Sequence, residues 1–495
     1  MSLLGIDIGT TGVKAVVIGE SGGSVFTGYR EYRTVHPSPG YAELDAPAVW
    51  IIIKECIAEA ASRAQHDPIR AISTSSLGEA VVPVTRDRRI VGRSILGADS
   101  RGGEYVERIR ECMGVRERYE INPNIIGANY TLPKLMWLKE HARAEYERAD
   151  LYLLWADAVG FLLGAEPYAS NSLANRTLLF DIRKNDWSDE LCTRSGIARD
   201  RFGKIIAGGE TAGTVDRGIA RELGLNDNVT IIAGGHDQCC NALGAGSITP
   251  NTISCGMGTY ECITPVFTMP KDMDSMRKRN LNIEHHVVDG LYVSFIYNQA
   301  GLLVKWFRDT FAAGDAERYG ASIYEKLNEE VPQAPTDLFT LPYFEMSGAP
   351  GFVTDAKGAI IGLRASTTRG EILRSIMESS TYYFAEVLDD MRHSGMELTR
   401  AVATGGGSRS DAWMQIHADV LGIPFVRPRI TEASALGAAI LAGMGSGVFA
   451  SAKEAVAAAV SMEKEFLPNN EIGRCYRERV KRYTSLLPMV RDFLS

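Results

Sequence analysis

Basic charge is in deficit in this 495-residue chain. Lys and Arg number 53 against 61 Asp and Glu, which gives a net charge of −8 and a sequence pI near 5.7. That balance argues against nucleic acid or an anionic membrane as the main partner, and it leaves room for a local phosphate pocket. Cysteine is also sparse. The eight residues form no Cys-x-x-Cys, and the adjacent Cys239 and Cys240 are poorly placed to bridge each other. Neither a disulfide framework nor a zinc site is expected, and reduced thiols point to a cytoplasmic setting. No apolar run approaches the ~20 residues of a membrane span. Asp7 breaks the first apolar run, so a signal peptide is not expected. Two common nucleotide motifs are missing as well. The chain has no GxxxxGK[ST] loop, and no GxGxxG between a strand and a helix.

What is present is ordinary in bulk: 45% hydrophobic and 23% charged residues, enough length for two to four domains. The informative stretch is 231–241, IIAGGHDQCCN. An apolar run of strand type ends in Gly234 and Gly235, and His236, Asp237 and Gln238 follow. In α/β sheets ligands gather at the carboxyl ends of strands, so these side chains are placed to act. Asp237 also suits a plain helix cap.

Residues 3–8 predict a strand, Gly9-Thr10-Thr11-Gly12 a turn, and 13–18 a second strand. Small and hydroxyl residues let backbone N–H groups approach an anion. Asp7 stands before the turn, suited to Mg²⁺. Lys14 stands after it and, with Thr10 and Thr11, suits phosphate. The pattern returns later: a strand over 251–255, the turn Gly256-Met257-Gly258-Thr259, and a strand over 260–266. The echo predicts two halves of similar build. Two such hairpins can clasp one polyphosphate.

Between the hairpins, helices are expected over 48–64 and 134–141, and strands over 69–73 and 80–84. Glu79 falls in the loop between those strands. Asp99 and Arg101 read either as an ion pair or as a sugar site. Asp157 follows the apolar run 151–156, and the segment 168–176 reads as a polar loop. A helix is expected to start within 186–194. After the second hairpin, residues 298–301 open a helix carrying Lys305. A Pro-rich loop over 332–350 is expected to hold a short strand at 338–341. A long helix is expected over 370–395. A strand over 401–404 ends in three glycines, 405–407, before a helix over 411–421 capped from 408–410. Glycines before a helix start allow close approach to a ligand. A further helix is expected over 432–444.

These residues resemble the FGGY carbohydrate kinases. DIGTTGVK resembles that family's first phosphate motif, GGHDQ its catalytic segment, CGMGT its second phosphate motif and TGGGSRSDAWMQ its adenosine motif. The stretch 358–378, GAIIGLRASTTRGEILRSIME, resembles the C-terminal signature throughout. The N-terminal signature is looser: Thr131, Lys134, Trp137 and Leu138 fit, and Asn129 departs from it. The resemblance implies an α/β protein of two ribonuclease-H/actin-like domains flanking a deep catalytic cleft, residues 1–247 and 248–495. It implies ATP and Mg²⁺ as cofactors, and a small sugar or polyol as substrate. A homodimer stays open.

By the same resemblance Asp237 is the general base, and Asp7 and Asp237 hold the metal. Glu79, Asp157, Asp237 and Gln238 bind the sugar. Thr10, Thr11, Lys14, Gly258 and Thr259 hold phosphates, and Gly301, Lys305, Gly406, Gly407, Ser410 and Asp411 serve the nucleotide. Asp237 is expected to ionise with an ordinary carboxylate pKa. His236 is expected to face away from Asp237, because neighbouring side chains on an extended strand alternate. Gly78 is expected to leave room for a substrate longer than glycerol, such as a ketose. An actin- or Hsp70-like ATPase is the alternative.

Overall fold

The structure is a computed structural model that describes residues 1–344, 357–393 and 395–494. Its frame is a pair of sheets with helices packed against them. Strand Ser2–Ile8 is apolar on both faces and almost wholly buried, as a central strand must be. It forms a hairpin with Gly12–Gly19 and lies parallel to Ile69–Ser76, which lies parallel to Thr230–His236. Ser24–Glu31 and Thr211–Thr214 close the two edges antiparallel.

The second sheet repeats this pattern step for step. Thr252–Met257 forms a hairpin with Glu261–Phe267 and lies parallel to Arg400–Thr404, which lies parallel to Phe425–Pro428. Met462–Phe466 closes one edge antiparallel, and Tyr292–Val293 extends the other. The echo between the two Gly-Thr hairpins therefore marks a repeat of the whole sheet.

Two helices join the sheets. Asp237–Gly244 follows directly from Thr230–His236, and it packs on Ala433–Gly445. Glycines make that approach close: a Cβ on Gly244 would clash with the Ala433 carbonyl, and one on Gly437 with the Cys240 carbonyl. Ala433–Gly445 lies against the N-terminal sheet, where Gly5 faces Ala435. A layer of buried side chains from both ends of the chain fills this seam, among them Leu3, Val16, Ile232, Leu243, Leu436 and Ile440.

Most expected elements are found within two residues of their ends. The helix expected over 186–194 is Asp189–Ser195, capped by Ser188 after a short strand, Asp186–Trp187. The strand expected at 338–341 is Phe339–Leu341. The end of that Pro-rich loop, 345–350, lies outside the described residues.

The segment 168–176 differs. It forms strand Tyr168–Ser170, helix Asn171–Ala174 and the start of a 3-10 turn, and all of it is buried. Several of its polar groups have partners in the interior. The Asn175 carbonyl, for example, accepts from Asn122 and Asn124. Asp99 and Arg101 settle as a buried ion pair at 2.6 Å that also holds Glu43 at 2.6 Å. All eight cysteines carry free thiols. Among the described residues no helix is long and apolar enough to cross a membrane.

Candidate active site

The three parallel strands of the N-terminal sheet end side by side. Asp7 stands opposite Ser75, and Ser76 opposite His236, so Asp7, the 77–79 loop and Asp237 emerge at one end. Ser75 Oγ donates to Asp7 Oδ1 at 2.9 Å. Burial pushes the Asp7 pKa up to about 6, against the pull of Lys14 and Ser75. Lys14, paired across the hairpin with Asp7, makes an ion pair with Glu432 at the head of the Ala433–Gly445 helix.

Asp237 is the first residue of its helix and keeps 26% of its side chain exposed. The expected ordinary pKa is not found. Burial, then the charge of Asp7, pushes it up to about 8. Asp7 and Asp237 thus offer hard oxygens that repel each other when both are ionised. Such a pair fits a hard dication such as Mg²⁺.

His236 does not face away as expected. It is the helix cap, its Nδ1 accepting from Gln238 N at 3.3 Å and lying 3.3 Å from Asp237 Oδ1. The ring is 2% exposed and stacks on Phe295 at 4.7 Å. Burial holds its pKa well below the usual imidazole value. Its only lone-pair nitrogen is therefore spent on the cap, and Asp237 is the open group. Asp237 in turn is not the cap.

Glu79 is no solvated loop acid. Its backbone sits at φ 45°, unusual for a side chain larger than Gly. Its carboxylate pairs with Arg176, and its carbonyl accepts from Thr131 Oγ1. Arg176 is 4% exposed, binds Glu284 at 2.7 Å on its other side, and lies over Tyr130 and Phe295. Sequence reasoning missed Arg176 and Glu284. One signal was available: Arg176 is the single charge between Glu166 and Asp181. A lone charge in an uncharged stretch that folds into the interior needs a partner.

The space beside Gly78 is not open. A Cβ there would stand 2.7 Å from His236 Nε2, so the imidazole fills the gap and Gly78 does not leave the expected room for a longer substrate. Asp157 follows Ala156, whose N donates to Ser76 Oγ at 3.0 Å. Asp157 itself is 0% exposed, and its Oδ1 accepts from Ser170 N at 3.1 Å. Gln238 stands next to Asp237, with a buried Oε1 that has no hydrogen-bond partner among the described residues.

The C-terminal sheet presents glycines and hydroxyls at its matching strand ends. Gly258 and Thr259 are exposed, and Leu302 N donates to Thr259 O at 2.8 Å. Gly301 lets the helix Ala300–Phe311 start against that turn, since a Cβ would clash with the Gly258 carbonyl. Lys305 is exposed on the same helix. Gly405, at φ 82°, packs on the Met257 carbonyl, and the loop opens Gly406 and Gly407 toward the same end. Ser410 caps the next helix and donates to Asn328 Oδ1 at 2.7 Å. The Asp411 carboxylate is already held, by Arg427 at 2.9 Å and Lys464 at 2.6 Å. Thr10 and Thr11 are exposed at the first turn.

Comparison with known proteins agrees with this arrangement. The N-terminal domain of the FGGY family of carbohydrate kinases matches residues 2–244, and its C-terminal domain matches 259–446. The chain is 28% identical over 496 residues to the xylulose kinase of Bacillus subtilis, covering 99% of this chain and 97% of that one. It is 30% identical over 476 residues to the xylulose kinase of Lactococcus lactis, covering 94% and 92%. The crystal structure of xylulose kinase from Rhodospirillum rubrum superposes with a TM-score of 0.88 at 24% identity, covering 100% and 99%. The filament or chaperone alternative is not favoured, because the kinase family accounts for both halves. The chain therefore belongs to the FGGY family of carbohydrate kinases, with two domains of the actin/ribonuclease-H-like fold, and is an ATP-dependent sugar kinase.

Proposed function

We propose that this kinase moves the γ-phosphoryl group of ATP to a hydroxyl of a small ketose or polyol, with Asp237 as general base. The observation that carries this reading is the state of Asp237: open to solvent in part, beside Asp7, with its pKa raised to about 8. A base works best when its pKa lies near the working pH, and such catalysis is worth about 10²–10⁴ in rate. Phosphoryl transfer otherwise asks for positioning and charge stabilisation.

Roles for the other residues follow from their places. Glu79, fixed by Arg176, and Gln238, with its spare acceptor, bind sugar hydroxyls. Asp157 supports the fold beneath them rather than touching sugar. Thr10, Thr11, Lys14, Gly258 and Thr259 hold phosphates, and Lys14 exchanges Glu432 for a phosphate oxygen. Gly406, Gly407 and Ser410 border the adenine, with Gly301 and Lys305 nearby. Asp411 acts by fixing the loop through Arg427. Mg²⁺, held by Asp7 and Asp237, would supply charge neutralisation on the phosphates.

The division is placed at 247/248, after the Asp237 helix. Free thiols suit a reducing cytoplasm.

Xylulose is the first substrate to try, given the xylulose kinases among the relatives. ADP release with glycerol, erythritol, the pentuloses and the hexuloses would test the reading. A pentulose should give the highest kcat/KM. If glycerol gave the highest value, the ketose assignment would fall.

A further inference from the structure

The cysteine pattern in the sequence predicts no zinc site, yet folding assembles a set of metal donors that spacing cannot reveal. Cys255, Glu261 and His417 lie in the core of the C-terminal domain, each 0% exposed, with their donor atoms within 4.8 Å of one another. Cys255 lies on Thr252–Met257, Glu261 begins Glu261–Phe267, and His417 lies on Asp411–Leu421. These elements flank the Gly258-Thr259 turn and follow the 405–407 glycines.

The site has unmet demands. Glu261 Oε2 has no hydrogen-bond partner among the described residues. His417 Nδ1 lies 2.9 Å from the Trp413 carbonyl, so it carries the ring proton and leaves Nε2 as a lone pair. That Nε2 is 2.6 Å from Glu261 Oε1 but is not aligned for a hydrogen bond with it. The Cys255 thiol donates to the same oxygen at 3.2 Å, a hydrogen that a metal would replace. A buried imidazole nitrogen with no hydrogen bond and an orphaned buried carboxylate oxygen among the described residues both call for a cation beside them.

We propose that Cys255, Glu261 and His417 form a buried structural site for a borderline divalent cation of the zinc class. The sulfur, the imidazole nitrogen and both oxygens of Glu261 make up four donors of the type zinc prefers. A thiolate, a carboxylate and a neutral imidazole carry two negative charges, which the dication cancels. Cys255 releases its thiol proton to solvent as the sulfur–metal bond forms. The backbone bond at Nδ1 is the outer support that metal-bound histidines commonly have. Because all three side chains are fully buried, the ion binds as the domain folds. It then ties both strands of the second hairpin to the helix behind the glycine loop.

The test is elemental analysis of untagged full-length protein, washed with EDTA and desalted. About one zinc per chain is expected, falling below about 0.2 in Cys255→Ser and His417→Gln and unchanged in Cys475→Ser, which removes the exposed thiol. Protein made in cobalt-supplemented, zinc-depleted medium should show thiolate-to-cobalt absorption that Cys255→Ser removes. That reading on the parent protein stands even if the core variants do not fold. Fewer than about 0.1 zinc or cobalt per parent chain would overturn the proposal. So would a thiolate band that survives Cys255→Ser.

Discussion

The two sheets share one strand pattern, and their strand ends carry opposite chemistry. The N-terminal sheet ends in acids: Asp7, Glu79 and Asp237. The C-terminal sheet ends in Gly258, Thr259 and the glycines 405–407. In the proposed reading, one end takes protons and binds hydroxyls, and the other lets backbone come close to an anion. The scaffold fixes where ligands meet, and the residues at the strand ends fix what each half does.

The largest effect that would sharpen this contrast is expected at Arg176. Arg176→Gln leaves Glu79 and Glu284 buried without their cation, and breaking such a pair costs about 3–5 kcal/mol. The sugar KM should rise at least ~100-fold while the ATP KM stays within about threefold. Steady-state kinetics with each substrate varied would show this. An equal rise in both KM values would mean general loosening and no division of labour.

Gly301→Val should do the converse. The added carbons meet the Gly258 carbonyl, an overpacking cost of about 1–3 kcal/mol placed on the Gly258-Thr259 turn proposed to hold phosphate. The ATP KM should rise about tenfold with the sugar KM unchanged. A matching rise in the sugar KM would break the comparison.

The smallest effect lies in stability against pH. The Asp237 pKa is raised in the folded state, from an ordinary 3.8 to about 8. Between those values the folded chain holds a proton that the unfolded chain has lost, so this group's contribution falls as pH rises. Asp237→Asn removes that loss. Because the side chain keeps 26% exposure, about 1–2 kcal/mol is a fair discounted figure. The variant should melt about 1–2 °C above the parent at pH 8.5 and level with it at pH 4, by calorimetry without nucleotide or metal. A lower melting temperature at pH 8.5 would show that the site is not strained by charge.

Much of this was legible in the sequence, because hairpins, glycine turns and periodic helices are local. The repeat of the sheet was visible as the echo of DIGTT in CGMGT. Long-range pairing was not. Arg176 meets Glu284 across 108 residues, and the ring filling the space at Gly78 belongs to His236. A polar segment such as 168–176 looks like loop until the interior supplies its partners. The pKa of Asp237 also depends on its burial and on Asp7, more than 200 residues away along the chain.

The central claim is that Asp237 removes the proton of the attacking hydroxyl. Asp237→Asn keeps the shape of the side chain and loses only the basic oxygen. Calorimetry should find sugar affinity within about tenfold of the parent, and a coupled ADP assay should find kcat lower by about 10²–10⁴. Turnover within tenfold of the parent, with sugar bound as well, would contradict the account.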